Sequence, residues 1–337
     1  MAIVCSLVRS PEHCDPDHPE NPERFRFFES LRTSPLASKS SWVEASEASL
    51  DSIRVVHRDR MLADLRAACR RAPAIIDGAP TYVSRESFHS GLMAAGGTLA
   101  CSRAILNGEA RRGFALIRPP GHHAEPDHPM GFCLFNNLAI AVCDALTRGV
   151  LSALVVDFDA HHGNGTEHAF WTDPRVAYFS THQAGIYPGS GLEDEAPHAR
   201  GRIVNLPFPA YAGDEALRMA LEQLVRPLAR AFRPEMLFVS AGFDGHWMDP
   251  LTSLAVTTRG FYELSLGLVD LAEELCQGRV LFVLEGGYDP IALASNCLGV
   301  LAALADEGCP PDPYGPARTP PPDVSAQVER VRGLHKL

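Results

Sequence analysis

Carboxylates and imidazoles alternate at the end of an apolar segment in the middle of this chain. Residues 154–167 read LVVDFDAHHGNGTE, so Asp157, Asp159 and His161 stand at every second position. In an extended chain every second side chain points to the same face, and the apolar residues before them are typical of a buried parallel strand. Two carboxylates and an imidazole that converge need a compensating cation, and a mixed oxygen and nitrogen set favours zinc or a similar first-row ion. The alternative interpretation is a helix N-cap with solvated histidines.

The other polar clusters share one property, because each follows an apolar segment with the composition of a strand. These are His122 and His123 after residues 113–118, Asp244 after residues 236–240, and Tyr288 after residues 280–284. Parallel strands end at one edge of their sheet, which is where such folds bind ligands. The sequence therefore predicts that these clusters meet residues 157–161 at one site.

Three of these residues have the chemistry of a catalytic zinc site. Asp159, His161 and Asp244 would supply three protein ligands and leave room for water and substrate. Alone, Asp244 would more often be a helix cap, and its position at the shared edge favours a ligand.

The remaining side chains can accept or donate protons and hydrogen bonds. His122 and His123 are a candidate base and acid, held by the preceding Pro-Pro-Gly turn, although either could be a paired core histidine. The Tyr288 hydroxyl is a candidate donor to a developing oxyanion, although the ring could simply pack. Metal, base and donor together predict the addition of water to an amide or ester carbonyl.

Strands and helices alternate along the chain, which predicts one α/β domain with a largely parallel sheet covered on both faces. Strands are predicted over residues 2–8, 113–118, 151–159, 176–180, 236–240 and 280–284, and helices over residues 23–31, 60–71, 89–106, 134–146, 214–231, 258–276 and 290–305. The proline-rich residues 13–24 are predicted to form a surface loop. His13 and His18 could be ligands, but in such a loop we expect them to be solvated.

Composition narrows the classes of function. The net charge of −11 argues against sequence-independent binding to nucleic acid and suits a cationic substrate. The first residues lack a basic region followed by a long apolar segment, so we expect no signal peptide, no membrane span and a cytoplasmic location. The nine cysteines include no CxxC pair and are predicted to be free, mostly buried thiols.

Five motifs resemble the zinc-dependent histone deacetylase superfamily, which includes bacterial histone deacetylase-like amidohydrolases and acetylpolyamine amidohydrolases. They are RPPGHHA at 118–124, GFCLFNN at 131–137, DFDAHHGNGTE at 157–167, SAGFD at 240–244 and EGGY at 285–288. The resemblance spans residues 15–305 and implies a single-domain, arginase-like α/β fold with a central, mostly parallel eight-stranded sheet and helices on both faces. Residues 1–309 would form the deacetylase domain, and residues 310–337 a proline-rich tail packed on it or trailing from it.

The resemblance assigns the same zinc ligands, tandem histidines and tyrosine as above, and it adds structural cations. A potassium or sodium ion would be held by Asp157, Asp159, His161, Ser180 and Thr181, and a second by Phe170, Asp173 and Val176. Asp157 would then orient His122 and not bind zinc.

The resemblance also implies a tunnel for an acyl-lysine side chain. Its predicted lining is Gly131, Phe132, Tyr187, Leu251 and Gly286, and Arg24 would lie beneath the zinc in an internal cavity. Leu251 stands where polyamine-specific relatives can carry a glutamate. The absence of that glutamate weakens the hypothesis that the substrate is an acetylated polyamine.

Two departures point to class II and bacterial members of the superfamily. Asn164 stands where class I members have an aspartate behind the second histidine, and Glu285 stands where they have glycine. The expected activity is hydrolysis of N-ε-acetyl-lysine, or a related acyl-lysine, in a protein or peptide. Acetylpolyamine hydrolysis is the nearest alternative, and a non-catalytic acyl-lysine-binding scaffold is a further one. A homo-oligomer is compatible with the sequence.

Overall fold

One eight-stranded parallel sheet organises the protein. The computed structural model describes residues 3–337. The strands, in chain order, are β1 (Ile3–Val8), β2 (Ser40–Val43), β3 (Ala74–Ile75), β4 (Tyr82–Val83), β5 (Arg112–Ile117), β6 (Ala153–Asp157), β7 (Val176–Gln183), β8 (Ile203–Phe208), β9 (Met236–Ala241) and β10 (Val280–Leu284). The sheet order is β2-β1-β5-β10-β9-β6-β7-β8, and β3 and β4 form a separate antiparallel pair.

Helices cover both faces of this sheet. They are α1 (Phe28–Arg32), α2 (Leu50–Arg54), α3 (Asp59–Arg70), α4 (Ser87–Leu106), α5 (Asn137–Thr147), α6 (Asn164–Ala169), α7 (Asp214–Ala220), α8 (Arg226–Phe232), α9 (Thr258–Leu275), α10 (Pro290–Leu304) and α11 (Ser325–His335). Two large apolar clusters form the core, and alternate residues of the strands contribute to each. In β5, for example, Phe114 and Leu116 belong to one cluster and Ala115 and Ile117 to the other, which explains why the strands are apolar throughout.

The predicted fold class is confirmed, and every pairing in the main sheet is parallel. The predicted strands and helices agree with the observed ones to within a few residues over most of the chain. The first predicted strand is present as β1, and its residue 2 lies outside the described residues.

Two predicted helices are interrupted. The helix expected over residues 23–31 is a short 3₁₀ turn, Pro22–Phe25, followed by α1. The helix expected over residues 214–231 contains a wider π-helical turn, Leu221–Val225, between α7 and α8.

The sequence patterns missed both edge strands, β2 and β8, and the C-terminal helix α11. Residues 310–322 contain no helix or strand, but α11 packs beside β8, and its Val328 and Val331 are fully buried. In residues 3–337, no helix is both long and apolar enough to cross a bilayer.

Candidate active site

The carboxyl ends of β6, β9 and β10 bring the predicted zinc ligands together. Ligand atoms of Asp159, His161 and Asp244 all lie within 4.8 Å of one another. Backbone N–H groups hold both carboxylates: Ala160 donates to Asp244 Oδ1 (2.8 Å), and Gly286 donates to Asp159 Oδ2 (2.8 Å). The cluster is therefore fixed by the chain segments that leave three adjacent strands.

The charge of this cluster fits a bound cation. Asp159 and Asp244 are 1% and 0% exposed, and His161 Nδ1 lies 2.7 Å from Asp244 Oδ2 and 3.3 Å from Asp159 Oδ1. In residues 3–337 neither carboxylate pairs with a lysine or arginine. Burial and the charge of Asp159 raise the pKa of Asp244. Two buried oxygen ligands and one nitrogen ligand that converge without a basic side chain suit zinc or a similar ion.

The tandem histidines each contact a different side chain. His122 Nδ1 lies 3.1 Å from Asp157 Oδ2, whereas His123 Nδ1 lies 2.8 Å from Asn164 Oδ1. Burial lowers the pKa of His122, but the carboxylates of Asp159 and Asp157 outweigh it and raise that pKa to about 10. Burial, with the nearby His122 and His161, lowers the pKa of His123. The two imidazoles are thus driven toward opposite protonation states, as an acid and base pair requires.

Tyr288 follows β10 and reaches the same site. Its N–H donates to Asp249 Oδ2 (2.7 Å), and burial raises the pKa of its hydroxyl well above the usual range, so the hydroxyl retains its proton. Arg24 lies beneath the ring at 4.9 Å and donates to Gly287 O (2.7 Å) and Glu285 O (2.6 Å). The tyrosine is therefore held from below by a buried cation.

A cavity of about 190 Å³ leads from the surface to these groups. Its lining is Ala79, His123, Gly131, Phe132, His161, Tyr187, Leu251 and Tyr288. Four of the five predicted tunnel residues are in this set. The fifth, Gly286, stays a prediction: it lies beside the ligands, where an added Cβ would stand 2.6 Å from a carboxylate oxygen of Asp159 and of Asp244.

The wall formed by Gly131 and Phe132 has an unusual backbone. Both residues have positive φ, 57° and 68°, and a Cβ at Gly131 would collide with the ring of His123. Asp77 Oδ2 accepts a hydrogen bond from Gly131 N (2.9 Å), and Thr81 Oγ1 accepts one from Phe132 N (2.8 Å). These two supporting residues were missed, since no local pattern links them to a wall about fifty residues away.

The proline-rich loop is more buried than predicted, and the expectation of solvated histidines is wrong. His13 and His18 are 1% and 7% exposed, and both rings contact Tyr82. His13 Nε2 also lies 3.5 Å from the fully buried carboxylate of Glu20. Glu20, in the proline-flanked HPENPER segment, binds Arg118 through two hydrogen bonds (2.7 and 2.9 Å) and Arg24 through one (3.0 Å). The loop is therefore anchored by charge beneath the site.

The first predicted monovalent-cation site stays a prediction. Parallel pairing of β6 with β7 sets Asp157 beside Ser180, and both are fully buried, as is most of Thr181. Ser180 Oγ lies 2.9 Å from His182 Nδ1.

The second predicted cation site also stays a prediction, and an arginine side chain lies among its carbonyl groups. The carbonyl oxygens of Phe170, Asp173 and Val176 each accept a hydrogen bond from Arg202 Nη1 (3.0 Å), and Trp171 O accepts one from Nη2 (2.7 Å). A guanidinium thus already supplies the positive charge at this point.

Comparisons with known proteins agree with this geometry. The histone deacetylase domain family matches residues 18–304. A probable deacetylase from Archaeoglobus fulgidus is 40% identical over 296 residues, covering 86% of this chain and 82% of its own. The chloroplastic histone deacetylase 10 of Oryza sativa subsp. japonica is 37% identical, covering 95% of this chain and 78% of its own. A crystal structure of the HDA15 HD domain superimposes with a TM-score of 0.88 at 31% identity, covering 99% of this chain and 94% of that one. Fold, motifs and sequence together establish that the chain belongs to the histone deacetylase family.

Proposed function

We propose that this protein is a zinc-dependent deacylase that hydrolyses the amide of N-ε-acetyl-lysine, or a related acyl-lysine, in a protein or peptide. One observation carries the proposal: the Asp159, His161 and Asp244 cluster lies at the inner end of a narrow cavity whose walls include His123 and Tyr288. Ligands for a metal, a base and a hydroxyl donor therefore surround one position where a carbonyl can be held.

Asp159, His161 and Asp244 would hold the metal. A bound zinc ion lowers the pKa of water toward neutrality and polarises a carbonyl oxygen. His123, whose Nε2 carries no hydrogen, takes the proton of the attacking water. His122 or His123 then returns a proton to the leaving lysine amine. The Tyr288 hydroxyl donates a hydrogen bond to the oxygen that becomes negative as water adds.

The cavity favours a slim, unbranched substrate. Phe132 and Tyr187 form aromatic walls, and a volume of about 190 Å³ suits an acylated aliphatic chain and not a bulky group. At the mouth, Leu251 is 38% exposed and offers no charge to a second amine. This apolar mouth supports acyl-lysine over an acetylated polyamine.

A substrate panel tests the proposal. Zinc-reconstituted protein is assayed by mass spectrometry with acetyl-, propionyl- and butyryl-lysine peptides and with acetylspermidine and acetylputrescine. We expect acetyl-lysine peptides to give the highest kcat/KM, and a chelator to remove the activity until zinc is restored. Preference for the polyamines by tenfold or more would replace the substrate assignment, and no hydrolysis of any amide by metal-loaded protein would refute the proposed reaction.

Tyr288→Phe tests the catalytic arrangement. The variant should retain fold and zinc but lose roughly 10²–10³-fold in kcat, because the lost hydroxyl is needed most in the transition state. Tyr314→Phe, which deletes a hydroxyl bonded to Asp289 outside the cavity, is the control and should keep wild-type kcat. A raised KM with unchanged kcat in Tyr288→Phe would make the tyrosine a ground-state contact.

A further inference from the structure

We infer that Glu125 is a positioning residue for His123, because its carboxylate orients the Asn164 amide and thereby decides which imidazole nitrogen carries the proton. The inference rests on the proposed function, in which His123 is the base. Asn164 Nδ2 donates to Glu125 Oε1 (2.6 Å), and Asn164 Oδ1 lies 2.8 Å from His123 Nδ1. The three side chains form one continuous hydrogen-bonded row.

The donors and acceptors in this row can be assigned by elimination. A carboxylate only accepts hydrogen bonds, so the amide NH₂ of Asn164 must face Glu125. Its carbonyl oxygen then faces His123, and an amide oxygen only accepts. His123 Nδ1 must therefore carry the hydrogen, which leaves the lone pair on Nε2, as a base requires. Without Glu125, the amide could rotate by 180° and favour the opposite tautomer.

The backbone of Glu125 is held firmly enough for this role. Its carbonyl oxygen lies 2.9 Å from His57 Nδ1, and its N–H donates to His128 O (3.0 Å). His57 Nε2 accepts a hydrogen bond from Asn136 N (2.8 Å), so His57 Nδ1 is the nitrogen that donates to Glu125. Burial lowers the pKa of His57 to about 4, which keeps this arrangement neutral at ordinary pH.

The side chain of Glu125 is held from the solvent side. Its second oxygen, Oε2, contacts Nδ1 of His168, whose side chain is 57% exposed. Glu125 itself is only 9% exposed. The row therefore runs from the inner end of the cavity to the surface, and it sets a negative charge one side chain beyond the neutral Asn164.

The experiment compares Glu125→Gln, Glu125→Ala and Asn164→Asp, alone and combined, in the full chain loaded with zinc. Glu125→Ala should lower kcat for an acetyl-lysine peptide by roughly 10–100-fold, with KM within about twofold and metal content unchanged. Glu125→Gln should be milder, because glutamine can still accept from Asn164. Asp127→Asn, an exposed change in the same loop, is the control and should leave kcat unaltered.

The double variants separate positioning from simple structural support. In the wild-type background Asn164→Asp should lower kcat, because it sets two carboxylates side by side. In Glu125→Gln or Glu125→Ala the same change should raise kcat, since the new carboxylate accepts from His123 Nδ1 without needing an orienting partner. Equal losses in both backgrounds, or wild-type kcat in Glu125→Ala, would overturn the inference.

Imidazole ¹⁵N NMR gives a readout that does not depend on activity. The wild-type spectrum should show His123 as the Nδ1–H tautomer, and Glu125→Ala should shift it toward a mixture. An inactive wild-type protein with this tautomer pattern would refute the proposed function and leave the positioning role standing. An unchanged His123 tautomer in Glu125→Ala would refute the positioning role alone.

Discussion

Two clusters of buried acids belong to the active site and its support, and their charges are balanced in different ways. Glu20 is bound by the guanidinium groups of Arg118 and Arg24. Asp159 and Asp244 share the imidazole of His161, Asp159 also lies 3.8 Å from His122 Nε2, and in residues 3–337 no lysine or arginine approaches either carboxylate as an ion-pair partner. The first cluster is balanced by arginines of the chain, whereas the second has only imidazoles as partners and is the cluster for which we propose a bound cation.

This difference indicates how the role of a buried charge can be inferred from its partners. A carboxylate that is fully paired within the chain stabilises the fold, and a carboxylate left without a basic partner indicates a binding site. Arg202 extends the same reading to neutral groups, because it supplies the positive charge on which four backbone carbonyl groups converge. The carboxylates of Glu20, Asp159 and Asp244 are all buried, so burial alone does not distinguish the active-site carboxylates from the structural one. Charge balance within the chain does.

The strongest test removes one carboxylate from the unbalanced cluster. Asp244→Asn should reduce zinc content sharply and lower deacylase turnover by roughly 10³-fold or more, because one anionic ligand of the metal is lost. The metal-free variant should be at least as stable to urea as the metal-free wild type, since like-charge repulsion with Asp159 is relieved. Asp144→Asn, at a carboxylate paired with Arg103 and Arg148, is the control for activity. Full metal content with full turnover would break the comparison.

The matching change in the balanced cluster should act on stability. Glu20→Gln leaves two buried arginines without a counter-charge, and we expect it to lower the free energy of unfolding by about 3–5 kcal/mol. Urea denaturation measures this loss. Glu29→Gln, which breaks an exposed pair with Arg9, should cost no more than about 1 kcal/mol. Equal stability of Glu20→Gln and wild type would contradict the assigned role.

Arg202→Met sharpens the comparison at the carbonyl cluster. The substitution leaves four converging carbonyl oxygens without their donor, and we expect a loss of about 1–3 kcal/mol in the free energy of unfolding. Potassium ions should restore part of this stability in the variant and have less effect on the wild type. Thermal unfolding measured from potassium-free to potassium-rich buffer would show this restored stability. The same response in both proteins would argue against the guanidinium as the resident cation.

The smallest expected effect is on the pH dependence of stability. Burial would raise the pKa of Glu20, but Arg118, His13 and Arg24 hold it well below its ordinary value of 4.5. As pH falls below about 4.5, the unfolded chain takes up a proton at Glu20 and the folded chain does not, so stability is lost by at most about 1.4 kcal/mol per pH unit. Above that range the contribution is fully present. Glu20→Gln should flatten the acid side of the stability curve, and an identical slope would exclude Glu20 as the responsible group.

Sequence patterns predicted the elements whose signals are local. Apolar runs that end in chemistry-bearing residues are contained within single segments, so β5, β6, β9 and β10 were placed nearly as they occur. The family motifs implied the fold class that the structure confirms. The edge strands β2 and β8 were missed because β2 is four residues long and only partly buried, and because β8 contains Pro207, a residue that argues against a strand. Helix α11 was missed because its buried valines follow a proline-rich segment that resembles a loop.

Only the tertiary structure determined the partners of the buried polar groups. Glu20 meets Arg118 across 98 positions, and Arg24 meets the Gly287 carbonyl across 263, distances over which no periodicity carries information. For the same reason the sequence did not predict the contact of Arg202 with the carbonyl groups of the second predicted cation site. It also did not predict the contact of Glu125 with Asn164. By itself the sequence determined which residues end the strands and which chemistry they can perform. Folding decided which of their charges are balanced, because balance depends on side chains that meet only when the sheet has formed.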